Sequence, residues 1–70
     1  METIYFVKDS DFREVHVMTN GTYRITGRHG TMGKLHNNAT KYISEMLKNG
    51  WKKCNIIEYL RTKWSFNGTS

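Results

Sequence analysis

Proline is absent from this 70-residue chain, and cysteine occurs once. A single Cys leaves no internal disulfide framework and no thiolate-rich metal site, and it fits a reducing compartment. Aliphatic residues are scarce: five Ile, three Leu and three Val. The three Phe, four Tyr, two Trp and four Met must therefore supply much of any core. A chain this short is one domain at most. It buries only about 60% of the surface it exposes when unfolded, so a second copy, as a homo-oligomer, or another partner can supplement its core. No apolar run approaches the ~18 residues that cross a membrane. Glu2 stands where a signal peptide is basic, and charge returns directly after Ile4-Tyr5-Phe6-Val7. The expectation is a protein of the cytoplasm, the host's if the chain is viral, with no membrane contact and no sugar at Asn20, Asn38 or Asn67.

Acidic residues are also scarce after position 14. Residues 15–70 carry nine Lys and Arg against Glu45 and Glu58, a net of +7, whereas residues 1–14 carry Glu2, Asp9, Asp11 and Glu14 against Lys8 and Arg13, a net of −2. With a sequence pI near 9.6, this asymmetry points to an anionic partner, of which nucleic acid is the commonest in the cytosol. Solubility alone would also explain a net charge of +5 on a small domain.

Turn and cap signals divide the chain. Ile4–Val7 is β-prone and ends at the turn-forming 8–11 cluster; 13–19 alternates; Asn20-Gly21 is the strongest short hairpin signal; and 22–26 returns from it. A two-residue turn would set Met18 opposite Tyr23 and His16 opposite Ile25, with His16, Met18, Tyr23 and Ile25 facing the core in competition with Val15 and Val17. Residues 27–36 read as a glycine-rich loop. Asn37 or Asn38 then caps a helix whose apolar stripe is Ala39, Ile43, Met46, Leu47 and Gly50, stopped by Asn49-Gly50. Asn55-x-x-Glu58 opens a second helix with Ile56, Ile57, Leu60 and Trp64 on one side, a short strand over 56–60 being the alternative. Residues 65–70 read as a flexible tail. The expected fold is α+β: a small three-stranded antiparallel sheet with its hairpin at Asn20-Gly21, then one packed helix and a second C-terminal helix, in a single domain over 1–64.

The glycine segment carries the sharpest chemical signal. Gly27, Gly30 and Gly33 are interleaved with Arg28, His29 and Lys34, with His36 beyond, and a loop of this kind feeding a helix can aim N–H groups and cations at a phosphate. It is not a Walker loop, which needs Gly at 28 and Ser or Thr at 35. Trp51-Lys52-Lys53 and Arg61-Thr62-Lys63-Trp64 set aromatics beside cations, the pairing that stacks a base and holds its phosphate. Trp51 is the better placed for exposure and Trp64 for the core. The candidate nucleic-acid-binding residues are Arg28, His29, Lys34, His36, Trp51, Lys52, Lys53, Arg61 and Lys63. No arrangement of His, Cys and carboxylates has metal-ligand spacing, and no catalytic residue or cofactor is expected. Two of His16, His29 and His36 would be needed for a small ribonuclease, the minor alternative, but His29 and His36 have no fixed acidic partner near them, His16 faces a sheet as a structural residue, and Cys54 fits a packed thiol.

Gly27-Arg28-His29-Gly30-Thr31-Met32-Gly33 and the helix ending at Asn49-Gly50-Trp51 resemble the loop and helix of WGR domains, which contact nucleic-acid ends. The signature Trp of that family would fall at Thr26 here, and no function is carried over. In overall composition the chain resembles the small basic accessory proteins of A+T-rich bacteriophages. That likeness implies a protein that binds a host or defence component such as a nuclease, a toxin or their RNA. The expected function is sequence-tolerant nucleic-acid binding, RNA favoured over DNA. The alternative is a protein–protein inhibitor module, an anti-defence or host-takeover factor that blocks a nuclease or toxin without touching nucleic acid.

Overall fold

The computed structural model describes residues 2–28 and 30–67. The elements run β1 (Glu2–Lys8), β2 (Asp11–Val17), β3 (Tyr23–Gly27), β4 (Gly30–His36), α1 (Ala39–Lys48), β5 (Lys52–Cys54) and α2 (Ile56–Asn67). All five strands join one sheet in the order β4-β3-β2-β1-β5, antiparallel throughout. The α+β class holds, but the three-stranded sheet expected from sequence falls two strands short. Both additions answer the need of an edge strand to pair its backbone N–H and C=O groups. β4 forms from the segment that reads as a glycine loop, turning back at Gly27↔Gly30 and pairing along β3 with a bulge near its middle. β5, only Lys-Lys-Cys, has no apolar alternation to announce it; it forms where the chain returns from α1 alongside β1.

The Asn20-Gly21 hairpin exists with a register one residue away from expectation. Gly21 N–H donates to the Met18 carbonyl at 3.0 Å and Met18 N–H to the Thr22 carbonyl at 2.8 Å, with Gly21 at φ 85°. These bonds close a three-residue loop, a turn ending in a left-handed glycine, instead of the two-residue turn. Val15 therefore lies opposite Ile25, and Val17 opposite Tyr23. Val15 and Val17 share the core face with Tyr23 and Ile25, and His16 points to the other side of the sheet.

Each helix is capped by an asparagine. The Asn38 side chain accepts from Lys41 N–H at 3.2 Å, and the Asn55 side chain from Glu58 N–H at 2.9 Å. The start of α1 is tied to the hairpin loop by Ala39 N–H donating to the Gly21 carbonyl at 3.0 Å. Its end is a Schellman motif: Gly50 at φ 96°, Gly50 N–H to Leu47 carbonyl at 3.3 Å, and Trp51 N–H to Met46 carbonyl at 3.0 Å. That motif brings an apolar residue after the glycine back onto the last turn. Trp51 accordingly packs with Met46 in the core formed by Phe6, Val15, Tyr23 and Ala39.

The helices cover opposite faces of the sheet. α1 lies over Phe6, Val15, Val17, Tyr23 and Ile25, and Leu47, which the sequence stripe includes, is left half-exposed. α2 lies over β1 and β2 through Tyr59, whose ring meets Tyr5 at 4.9 Å and, edge-on, Phe12 at 5.7 Å. The 56–60 segment is helix and not strand, and α2 runs on to Asn67, past the Trp64 limit expected of the domain; 68–70 lie outside the described residues.

The register rests on the left-handed Gly21, and substitution tests it. Gly21→Ala meets no side chain but strains the backbone, so a loss of about 1 kcal/mol is expected in urea denaturation. Gly33→Ala, in open space without a left-handed φ, is expected to be neutral or slightly stabilising.

Candidate nucleic-acid interface

Strand alternation and register sort the cations between the two faces. Residues paired across strands point to the same side. Tyr59 contacts Tyr5 and Phe12, so Val7, opposite Phe12, and Lys52, opposite Val7, stand on the α2 side. Arg24 pairs with His16 and His16 with Thr3, which again places them on the α2 side. With Arg61 and Lys63 on α2 itself, this side gathers Arg24, Lys52, Arg61 and Lys63. Its carboxylates are Glu14, which accepts from the Tyr59 hydroxyl at 2.8 Å, Glu58, and Asp9 of the β1–β2 turn, which lines a shallow pocket with Arg61.

Geometry along α2 decides what reaches solvent. Tyr59 is its buried anchor. At 100° per residue, Ile57, Arg61 and Trp64 fall on the side away from Tyr59. Ile57 and Trp64 are each 63% exposed, and Ile56 is half-exposed. Arg61 and Trp64, three residues apart, are surface neighbours. The sequence therefore assigned the two tryptophans in reverse: Trp51 is in the core, held by the Schellman motif, and Trp64 is the exposed ring. The signal available in the sequence was the aromatic directly after Asn49-Gly50, the position that such a cap fills with an apolar residue.

The other candidates do not form one surface. Lys34 is exposed on β4, at one edge of the sheet, and Lys52 and Lys53 are exposed on β5, at the other. Four strand spacings, about 19 Å, separate these edges. Lys53, opposite Phe6, faces the α1 side. Arg28 stands at the β3–β4 turn, and His29 lies outside the described residues. His36 stacks on Tyr23 at 5.2 Å, and Tyr23 in turn stacks on Tyr42 at 4.6 Å, so His36 belongs to the aromatic layer under α1. The segment expected to be a phosphate loop feeding α1 is a strand hairpin, and Lys34 does not stand at a helix entrance.

His16 is held at both ring nitrogens, whereas the buried Nε2 of His36 has no hydrogen-bond partner among the described residues. His16 Nδ1 lies 3.2 Å from Thr3 Oγ1 and its Nε2 lies 3.1 Å from Thr26 Oγ1, a chain that continues to Thr31 Oγ1 at 3.2 Å. His16 and His36 are on opposite sides of the sheet. Burial, then Glu58, push the Cys54 thiol up, against the lowering by Lys52, which keeps it in the weakly reactive thiol form. Among the described residues no three His, Cys, Asp or Glu side chains are grouped to hold a metal. No helix among them is long and apolar enough to cross a membrane.

No protein-family model, curated protein or solved structure matches the chain. In the segment that resembles the WGR loop, Gly27 ends β3 and residues 30–33 open β4.

Tyr59 is the anchor that presents α2, and its titration reports on that role. Burial first, and then the hydrogen bond to Glu14, hold its phenol well above the usual tyrosine range; burial and Tyr42 raise Tyr23. Both groups keep their protons in the fold at a pH where the unfolded chain begins to lose them. Their contribution is thus complete below about pH 10 and lost as pH rises beyond it. Tyr59→Phe is expected to cost about 1–2 kcal/mol at neutral pH, by removing the donor to Glu14, and to make the alkaline loss shallower. Urea denaturation at a series of pH values measures both effects.

Proposed function

We propose that this protein binds single-stranded nucleic acid without sequence preference, RNA ahead of DNA, with the outward face of α2 as its contact surface. The observation that carries the proposal is Trp64, 63% exposed beside Arg61 on a helix face turned away from the sheet. An aromatic ring accepts any base by stacking, and a cation one turn away holds the adjoining phosphate. Arg24, Lys52 and Lys63 on the same side of the sheet add a field that attracts the strand. Unpaired bases are mostly an RNA feature, and the charged face offers a stacking surface in place of a groove-reading helix.

One observation favours the second reading, docking to a protein such as a nuclease or toxin. Ile56 and Ile57 stand exposed beside Trp64, and aromatic and arginine side chains are also typical anchors of protein interfaces.

Fluorescence titration with short uridine and thymidine oligomers at several salt concentrations separates the two. Binding at low salt that falls steeply with added salt is expected. Trp64→Ala should weaken it by about 1–3 kcal/mol, and Arg61→Gln should lower the salt slope by about 0.7. Absence of binding to both oligomers at low salt, with a protein partner still captured after nuclease treatment, would overturn the proposal in favour of protein docking.

A further inference from the structure

On the α1 side of the sheet, at the end that carries the β3–β4 turn, lies a cleft of about 300 Å³. Its walls include Arg13, Arg28, Tyr42, Ile25 and Asp11. Register explains why it is open. Arg13 on β2 pairs with Gly27 on β3, and Gly27 pairs with Gly30 on β4. Beside the arginine, two successive strands therefore have no side chain to fill the space. A Cβ at Gly27 would sit 3.4 Å from the Phe12 carbonyl oxygen, tight against the backbone.

Arg13 is half-buried, and its environment is unusual for a cation. Its guanidinium lies 4.5 Å from the centroid of the Trp51 ring and donates from Nη1 to the Tyr42 hydroxyl at 2.7 Å. Among the described residues it has no carboxylate partner. A guanidinium has five N–H donors, and withdrawing it from water without an anion is unfavourable. Trp51 and Tyr42 fix its plane in advance, so an incoming anion has little arginine rotamer freedom to quench. Arg28, directly after Gly27, supplies a second guanidinium to the same cleft, and two guanidiniums suit the several oxygens of a phosphate.

We propose that this cleft binds the phosphate monoester of a small sugar-bearing molecule of nucleotide size. Arg13 and Arg28 hold the phosphate, and Ile25 and Tyr42 give the remainder an apolar wall. The Asp11 carboxylate, whose Oδ1 already accepts from Phe12 N–H at 2.8 Å, faces the same space and suits a hydroxyl donor better than a second anion. A cleft of this volume exceeds what a bare phosphate needs and lies at the lower end of small-ligand sites. The site is on the opposite side of the sheet from the exposed face of α2 and does not rest on nucleic-acid binding there.

Calorimetric titration of the whole chain with adenosine 5′-monophosphate, ribose 5-phosphate, adenosine and inorganic phosphate tests it. The two monoesters are expected to bind, and adenosine is not. Arg28→Gln should weaken binding roughly tenfold or more, and Arg13→Met, which keeps an apolar filler against Trp51 but gives up the bond to Tyr42, should weaken it likewise at some cost in stability, with urea denaturation of both variants confirming that they remain folded. Lys48→Gln, at the end of α1, removes the same charge and should leave the affinity unchanged. Inorganic phosphate binding as tightly as the monoesters would overturn the assignment of the wall to a sugar-bearing ligand. No binding of any phosphate compound, or an equal loss in Lys48→Gln, would overturn the site.

Discussion

Arg13 is a cation set between two aromatic side chains, and the α1 side of the molecule is organised around it. Its guanidinium meets the Trp51 ring on one side and the Tyr42 hydroxyl on the other. Trp51 is the residue after the helix stop and Tyr42 lies within the helix, so one β2 side chain holds both the body and the end of α1. From Tyr42 the contacts continue through Tyr23 to His36. Withdrawing a guanidinium from water opposes this arrangement. Stacking on a desolvated Trp contributes about 2 kcal/mol, and the bond to Tyr42 adds to it. The planar, weakly hydrated guanidinium makes the balance tolerable where a lysine ammonium would not.

The same strand works on the opposite face through its alternate residues. Phe12 and Glu14 flank Arg13, and both meet Tyr59 of α2. A single β2 segment, Phe12-Arg13-Glu14, thus anchors one helix on each side of the sheet. With only 11 Ile, Leu and Val, the chain achieves this by using aromatic rings as fillers and their hydroxyls as bonding groups. The consequence for function is separation. The arginine cleft opens on the α1 side, beside glycines, and the exposed Trp64 with its neighbouring cations lies on the α2 side.

Local signals were legible in the sequence, and those that depend on a partner strand were not. Asn38, Asn55 and Gly50 each occupy the cap that their side chain or left-handed backbone suits, and both helices follow. The hairpin at Asn20-Gly21 was legible in position, but its register turns on whether Gly21 ends a two- or a three-residue loop, and Asn-Gly serves both. Glycines 27, 30 and 33 carry the same letters in a loop as in a hairpin; the unpaired edge of β3, invisible in sequence, decides for the strand. Lys52-Lys53-Cys54 is a strand only because β1 has an open edge beside it. Arg13 reads in sequence as a cation among acids, whereas its neighbours in space are Gly27, Tyr42 and Trp51.

The two tryptophans allow one measurement of the separated faces. In a proton–nitrogen correlation spectrum each indole N–H gives its own signal, Trp51 beneath Arg13 and Trp64 on the outer side of α2. A uridine oligomer should shift the Trp64 indole with the backbone signals of Arg61 and Lys63 and leave Trp51 in place. Ribose 5-phosphate should shift Trp51 and leave Trp64 in place. Both ligands moving the same indole, or neither indole moving with either ligand, would contradict the assignment of two binding surfaces to opposite faces of the sheet.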